Sequence, residues 1–208
     1  MPASMPRIAA ALVALVCWAG LAIQFAATYG VQREIAATLW ILLRFFTVIT
    51  NLTVAVTITR IALGGAVPPS LLGGVIIAIL LVGVVYMTLL RGLLELSGGA
   101  LLADALLHRV SPVLAAFWWL VFAPHGRLRW RAAWWWALYP LAYFAYAIVR
   151  GRIDGRYPYP FIDVATIGLA QTLLNAIAIA VAFIVAGYGL VWLDRLLGRR
   201  RDPSSAPQ

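Results

Sequence analysis

The sequence has no lysine, one cysteine, two histidines and little charge of any kind: 11% of its 208 residues are charged, against about 25% in an average soluble domain. Each scarcity excludes something. With 64% apolar residues and a mean hydropathy of +0.95, so few charges exclude an ordinary soluble globule, and they exclude disorder and collagen-like structure as well. The lone Cys17 lies inside the first apolar run, so no intrachain disulfide can form. With only His108 and His125 beside it, neither a four-ligand zinc site nor a bis-histidine haem is expected, and no metal or cofactor is assigned. All sixteen basic residues are arginine against seven acidic residues. In a chain this apolar, the resulting net charge of +9 reports membrane topology before it reports nucleic acid, and no nucleic-acid partner is expected.

What the chain does have is long apolar runs: Ile8 to Tyr29, Ile35 to Thr59, Leu71 to Leu90, Leu101 to Phe122, Ala132 to Val149 and Val164 to Leu193. Each approaches or exceeds the roughly 20 residues that cross a bilayer as a helix. They are continuous rather than alternating, which excludes barrel strands, and the first is too long for a cleaved signal. The expectation is an all-α membrane protein, a single bundle of six transmembrane helices over 1–201 with short loops. The tail 202–208, with Pro203, Ser204, Ser205 and Pro207, reads as disordered.

Alternate loops divide the arginines unevenly. Nine lie on the side of the termini (Arg7, Arg60, Arg127, Arg129, Arg131, Arg195, Arg199, Arg200, Arg201) and five on the other (Arg33, Arg91, Arg150, Arg152, Arg156). The positive-inside rule therefore places both termini in the cytoplasm, in the cell membrane. Trp130, Trp134, Trp135 and Trp136 beside the most basic internal loop read as an interfacial aromatic belt.

Polar residues that interrupt apolar runs carry the functional information, because hydrocarbon does not solvate them. In the second run Arg44, Thr47 and Asn51 follow i, i+3, i+7 spacing and share a helix face. About 14 Å along a continuous helix, Arg44 needs an interior acid, Asp104 or Asp163. In the fourth run Asp104, His108 and Ser111 share a face, with Arg109 beside them and Pro112 following. A carboxylate four residues before a histidine holds the ring in one tautomer and raises its basicity, an acid/base arrangement in outline. Measured along continuous helices, Thr47 and His108 differ in depth by roughly 8 Å. Gln171 and Asn175 in the sixth run read as interhelical hydrogen-bonding groups. The segment Arg150 to Asp163 reads as a loop whose Tyr157, Tyr159 and Phe161 suit a rim or lid, and Asp163 either pairs with Arg44 or caps the sixth helix.

Three stretches together, Arg44-Phe-Phe-Thr47 with Thr50-Asn51-Leu, His108-Arg-Val-Ser-Pro112, and Gly155-Arg-Tyr-Pro-Tyr-Pro-Phe161, resemble bacterial relatives of the androgen-induced integral membrane proteins. The similarity runs over most of the chain. It implies a six-span fold in which Thr47 matches the catalytic threonine and His108 the catalytic histidine of hydrolases acting on fatty acid esters of hydroxy fatty acids. On that reading Thr47 is the nucleophile, His108 its general base and Asp104 the residue that orients the base. Arg44 or Asn51 donates to the oxyanion, and the partners are membrane lipids or a lipophilic ester. The residues alone leave two other readings open: a small permease with a proton or anion path through Arg44, Asp104 and His108, and a lipid- or partner-binding bundle.

Overall fold

The protein is described by a computed structural model that covers residues 4–201, with side chains through 199. The expected disordered tail 202–208 lies outside the described residues. Among those residues there is no strand. The helices are α1 (Ser4–Gln32), α2 (Ile35–Leu42), α3 (Phe46–Ala62), α4 (Pro69–Val85), α5 (Gly98–Ala105), α6 (Ser111–Phe122), α7 (Ala132–Asp154) and α8 (Val164–Arg201). A π-helical turn, Tyr86–Leu90, prolongs α4, and a second, Leu106–Val110, joins α5 directly to α6.

Five segments, Ser4–Gln32, Pro69–Leu90, Gly98–Phe122, Ala132–Asp154 and Val164–Arg199, are long and apolar enough to cross a bilayer. They turn large apolar side chains such as Leu15, Phe117, Leu174 and Val185 outward, which only a lipid solvent makes reasonable over so much surface. This is an all-helical membrane protein.

The second apolar run departs from expectation. It is not one helix from Ile35 to Thr59 but two, α2 and α3, bent by 96° at Leu43–Phe45. Two tight i, i+3 bonds, Arg44 N–H to Ile41 O (3.2 Å) and Phe45 N–H to Leu42 O (3.1 Å), end α2, and Phe45 turns extended (ψ 128°) before α3 begins. With eight residues, α2 is only about 12 Å long.

Where the sequence reading draws one domain over 1–201, the helices group into two compact units, Met1–Ala123 and Pro124–Gln208. In the first, α1 packs on α3, α5 and α6, and α3 and α6 both pack on α4. The buried stripe of α1 is Ala10, Val13, Ala14, Cys17 and Gly20, small residues that let neighbouring helices come close. At Gly20 the approach is close: a Cβ there would lie 2.8 Å from Leu107 Cδ2 and 3.2 Å from Leu106 Cβ. The second π-turn therefore rests directly on the α1 backbone. Val54, Ile58, Ile76, Ile79 and Leu107 fill the centre of this unit.

In the second unit α7 packs on α8. The basic loop before α7 is clipped to α8 by Asp194, whose carboxylate accepts the Leu128 N–H (2.9 Å) and whose backbone carbonyl accepts the Gly126 N–H (3.0 Å). Trp130, Trp134 and Trp135 of the expected belt are exposed, but Trp136 is buried. The stretch from Arg150 is not a loop: α7 continues to Asp154 and ends at Gly155, whose φ of 68° suits only glycine without strain. Arg150 is buried in the helix, donates to Tyr146 Oη (2.6 Å) and lies 3.7 Å from the Asp154 carboxylate. Asp163 caps α8, accepting the Ala165 and Thr166 N–H groups (3.0 and 3.3 Å) and the Thr166 hydroxyl (2.9 Å). Gln171 donates to Asn175 (2.9 Å), which donates to the carbonyl of Phe161 (2.9 Å) in a short 3-10 turn, Pro160–Ile162, just before α8.

Candidate functional site

The break at Leu43–Phe45 decides where Thr47 sits. It restarts the helix just before the threonine, so Thr47 occupies the first turn of α3 and not the middle of a long span. The partial positive charge of a helix N-terminus is concentrated there. Opposite it, the turn Leu106–Val110 carries His108 and Arg109. The 8 Å depth difference expected from continuous helices vanishes because the bend resets the depth of Thr47.

Thr47 Oγ1 and His108 Nε2 are 3.1 Å apart. On the far side of the ring, His108 Nδ1 is 3.1 Å from Asp104 Oδ1 and 3.1 Å from the Asp104 backbone carbonyl. A backbone carbonyl can only accept, so the hydrogen on this side is assigned to Nδ1. That leaves Nε2 with a lone pair, and the Thr47 hydroxyl donates to it. Threonine, imidazole and carboxylate thus form one line of hydrogen bonds in the order that activates a hydroxyl nucleophile. Thr47 and Asp104 are buried, while His108 keeps 18% of its side chain exposed.

Asn51 stands one turn beyond Thr47 on α3 and is fully buried. Its amide donates to the Thr47 carbonyl (2.9 Å) and to the Leu107 carbonyl (3.0 Å), and its Oδ1 accepts the Ser111 hydroxyl (2.5 Å). Both amide hydrogens are therefore engaged, and Asn51 clamps α3 to the π-turn. Ser111 shares its hydroxyl hydrogen with the Leu107 carbonyl (3.2 Å). Arg44 lies in the break, three residues before Thr47, and is buried; it is not on the α3 face that Thr47 and Asn51 share. Asp104 is the ion partner of Arg109 (3.2 Å), and Asp163 caps α8.

Two residues complete the cluster around Asp104. Tyr86, in the first π-turn, donates its hydroxyl to Asp104 Oδ2 (2.5 Å), and its ring stacks on His108 with centroids 4.4 Å apart and planes 20° from parallel. Arg109 Nη2 donates to the same Oδ2 (3.2 Å) and to the Tyr86 hydroxyl oxygen (3.4 Å). The sequence reading placed Arg109 beside the pair and missed Tyr86. A signal existed: Tyr86 stands as near the end of its apolar run as Asp104 does to the start of the next, so the hairpin between them sets both at one level.

Comparison of the chain with family models, with curated proteins and with solved structures finds no match.

Proposed function

We propose that the protein is an intramembrane hydrolase of lipophilic esters, related to the androgen-induced integral membrane proteins, with Thr47 as nucleophile, His108 as general base and Asp104 as the orienting carboxylate. The observation that carries this reading is the unbroken line from Thr47 Oγ1 through the two nitrogens of His108 to Asp104, at 3.1 Å for each link. A threonine hydroxyl attacks an ester only when a base in hydrogen-bond reach takes its proton.

In the first half-reaction, Oγ1 of Thr47 bonds to the ester carbonyl carbon as its proton passes to Nε2 of His108. Collapse of the tetrahedral intermediate breaks the bond to the alkoxide, which leaves with that proton as an alcohol. In the second half, water gives a proton to Nε2 and attacks the acyl-threonine. Thr47 Oγ1 then departs, recovering the proton, and the carboxylic acid is released. Negative charge on the carbonyl oxygen develops beside the first turn of α3, whose N-terminal dipole favours an anion. Asp104 keeps the imidazole oriented and stabilises its cation.

The apolar surroundings favour a lipid or lipophilic ester, taken up from the bilayer, as the substrate class. We take α2 and α3 together as one broken span, giving six spans. With nine arginines on the side of the termini, both ends then lie in the cytoplasm and the protein in the cell membrane.

The test is purified protein treated with a fluorophosphonate probe and a long-chain p-nitrophenyl ester. Thr47→Ala should abolish labelling and hydrolysis, and His108→Ala should slow both without unfolding the protein. The wild-type rate should rise with pH as the imidazole loses its proton, because only the neutral ring accepts one. A wild type that neither labels nor cleaves any long-chain ester, or full activity in Thr47→Ala, overturns the reading.

A further inference from the structure

We propose that Tyr86 and Arg109 are positioning residues that lock the Asp104 carboxylate against the His108 imidazole. The kinetic consequence of this rests on the hydrolase reading; the structural one does not. A carboxylate turns easily about its last side-chain bond, because that torsion is broad and roughly two-fold. The single bond from Nδ1 to Oδ1 would leave Asp104 free to swing away. Its other oxygen is held instead by two donors, the Tyr86 hydroxyl at 2.5 Å and Arg109 Nη2 at 3.2 Å. Arg109 also donates to the Tyr86 oxygen, which polarises the hydroxyl and strengthens its bond to the carboxylate.

The imidazole is held in the same way from its face. The Tyr86 ring lies flat against His108, and the Arg109 guanidinium sits 5.6 Å from the centroid of that same ring. An arginine stacked on an aromatic ring and bonded to a carboxylate is doubly anchored. Its positive charge also offsets that of the Asp104 carboxylate, which is buried in a medium that penalises a lone ion.

The π-turn is what makes this set reachable. His108 is the fourth residue after Asp104 and Arg109 the fifth. In a regular α-helix the fifth residue is turned about 140° from the first, pointing away from it. The wider turn over Leu106–Val110, with its i, i+5 bonding, brings the fifth position back over the carboxylate while the fourth still reaches it. One acid thereby meets a base and a cation from its own helix and a phenol from the neighbouring one.

The experiment uses the full chain in nanodiscs with His125→Gln, so that His108 is the sole histidine. It follows the Nδ1 proton by NMR alongside steady-state ester hydrolysis. The resonance should lie far downfield in the parent protein, where the proton is shared with a carboxylate. It should move upfield in Tyr86→Phe and in Arg109→Gln, in the direction expected for Asp104→Asn. Tyr86→Phe keeps the stacked ring and removes only the hydroxyl. In an active parent, both variants should lower kcat by about tenfold, a part of the hundredfold or more that a positioned base supplies, with KM unchanged. Arg109→Lys should restore most of the loss. Tyr86→Phe should add almost nothing to Asp104→Asn, because its effect passes through that carboxylate. An inert parent whose resonance moves in the variants sinks the hydrolase reading and leaves the positioning role standing. An unmoved resonance, or kcat kept within about twofold in both variants of an active parent, overturns the positioning role and spares the hydrolase.

Discussion

Replacing Asn51 by leucine, which matches its bulk without its polar atoms, removes three hydrogen bonds at once: those to the Thr47 and Leu107 carbonyls and the one from Ser111. The groups left behind are not stranded. Ser111 retains the Leu107 carbonyl at 3.2 Å, which in turn keeps a donor, and the Thr47 carbonyl still accepts within α3. The penalty is therefore that of the bonds alone. Side-chain bonds between membrane helices average about 0.6 kcal/mol and ordinary protein hydrogen bonds about 1 kcal/mol, so Asn51→Leu should cost about 2 to 3 kcal/mol. Ser111→Ala removes the donor to the buried Asn51 Oδ1 and should cost about 1 to 3 kcal/mol. The double variant should fall short of the sum by about one bond, since the contact between the two is counted twice. Equilibrium unfolding in mixed micelles, with SDS as denaturant and tryptophan fluorescence as signal, measures all three. Because this clamp ties the backbone at Thr47 to the turn that carries His108, probe labelling of Thr47 should drop in Asn51→Leu even in the folded fraction. Wild-type stability in that variant, or strictly additive losses, would refute the placement of Asn51 between the two helices.

Gly20→Val should cost about 1 to 3 kcal/mol by overpacking against Leu106 and Leu107, with a lower thermal midpoint and part of the loss recovered by Leu107→Ala; an unchanged midpoint would contradict the close approach of α1 to the π-turn. A cysteine at the exposed Arg129 should react with an impermeant maleimide only after the cells are opened, and labelling of intact cells would reverse the proposed orientation.

Much of the fold was legible because hydropathy is a sum over many residues. The runs from Leu71, Leu101 and Ala132 appear as helical spans with shifted ends, and that from Val164 is helical but kinked at Gly168, whose φ of 76° and ψ of 160° are not helical. The break in the second run was not legible, since no proline or glycine lies between Ile35 and Ala62, and those are the usual local marks of a kink. What the stretch does contain is a dense set of β-branched residues around Thr47, Val48, Ile49 and Thr50, which lowers helix propensity without saying where a helix will part. The pairing of His108 with Asp104 followed from their spacing within one helix, whereas that of Thr47 with His108 came only from the family resemblance, because continuous helices set the two roughly 8 Å apart in depth. The other partners needed tertiary knowledge: Tyr86 comes from another helix, and the engagement of Asn51 by two backbone carbonyls is invisible in a pattern of side chains. Arg150 was placed in a loop because two prolines follow it, yet Gly155 and not Pro158 ends the helix.

The π-turn over Leu106–Val110 bears on how freely this chain can vary in length. Such a turn holds one residue more than an α-helical turn, so the helix could lose a residue there and leave α5 and α6 where they are. The bundle would survive the deletion and the site would not. His108 would become the third residue after Asp104, rotated away from Thr47, and Arg109 would inherit the position that faces the carboxylate. A protein with the same spans and one residue fewer in this segment would share the architecture and lack the triad, so a change of a single residue in the interval separates chains that hold this chemistry from chains that hold only the fold.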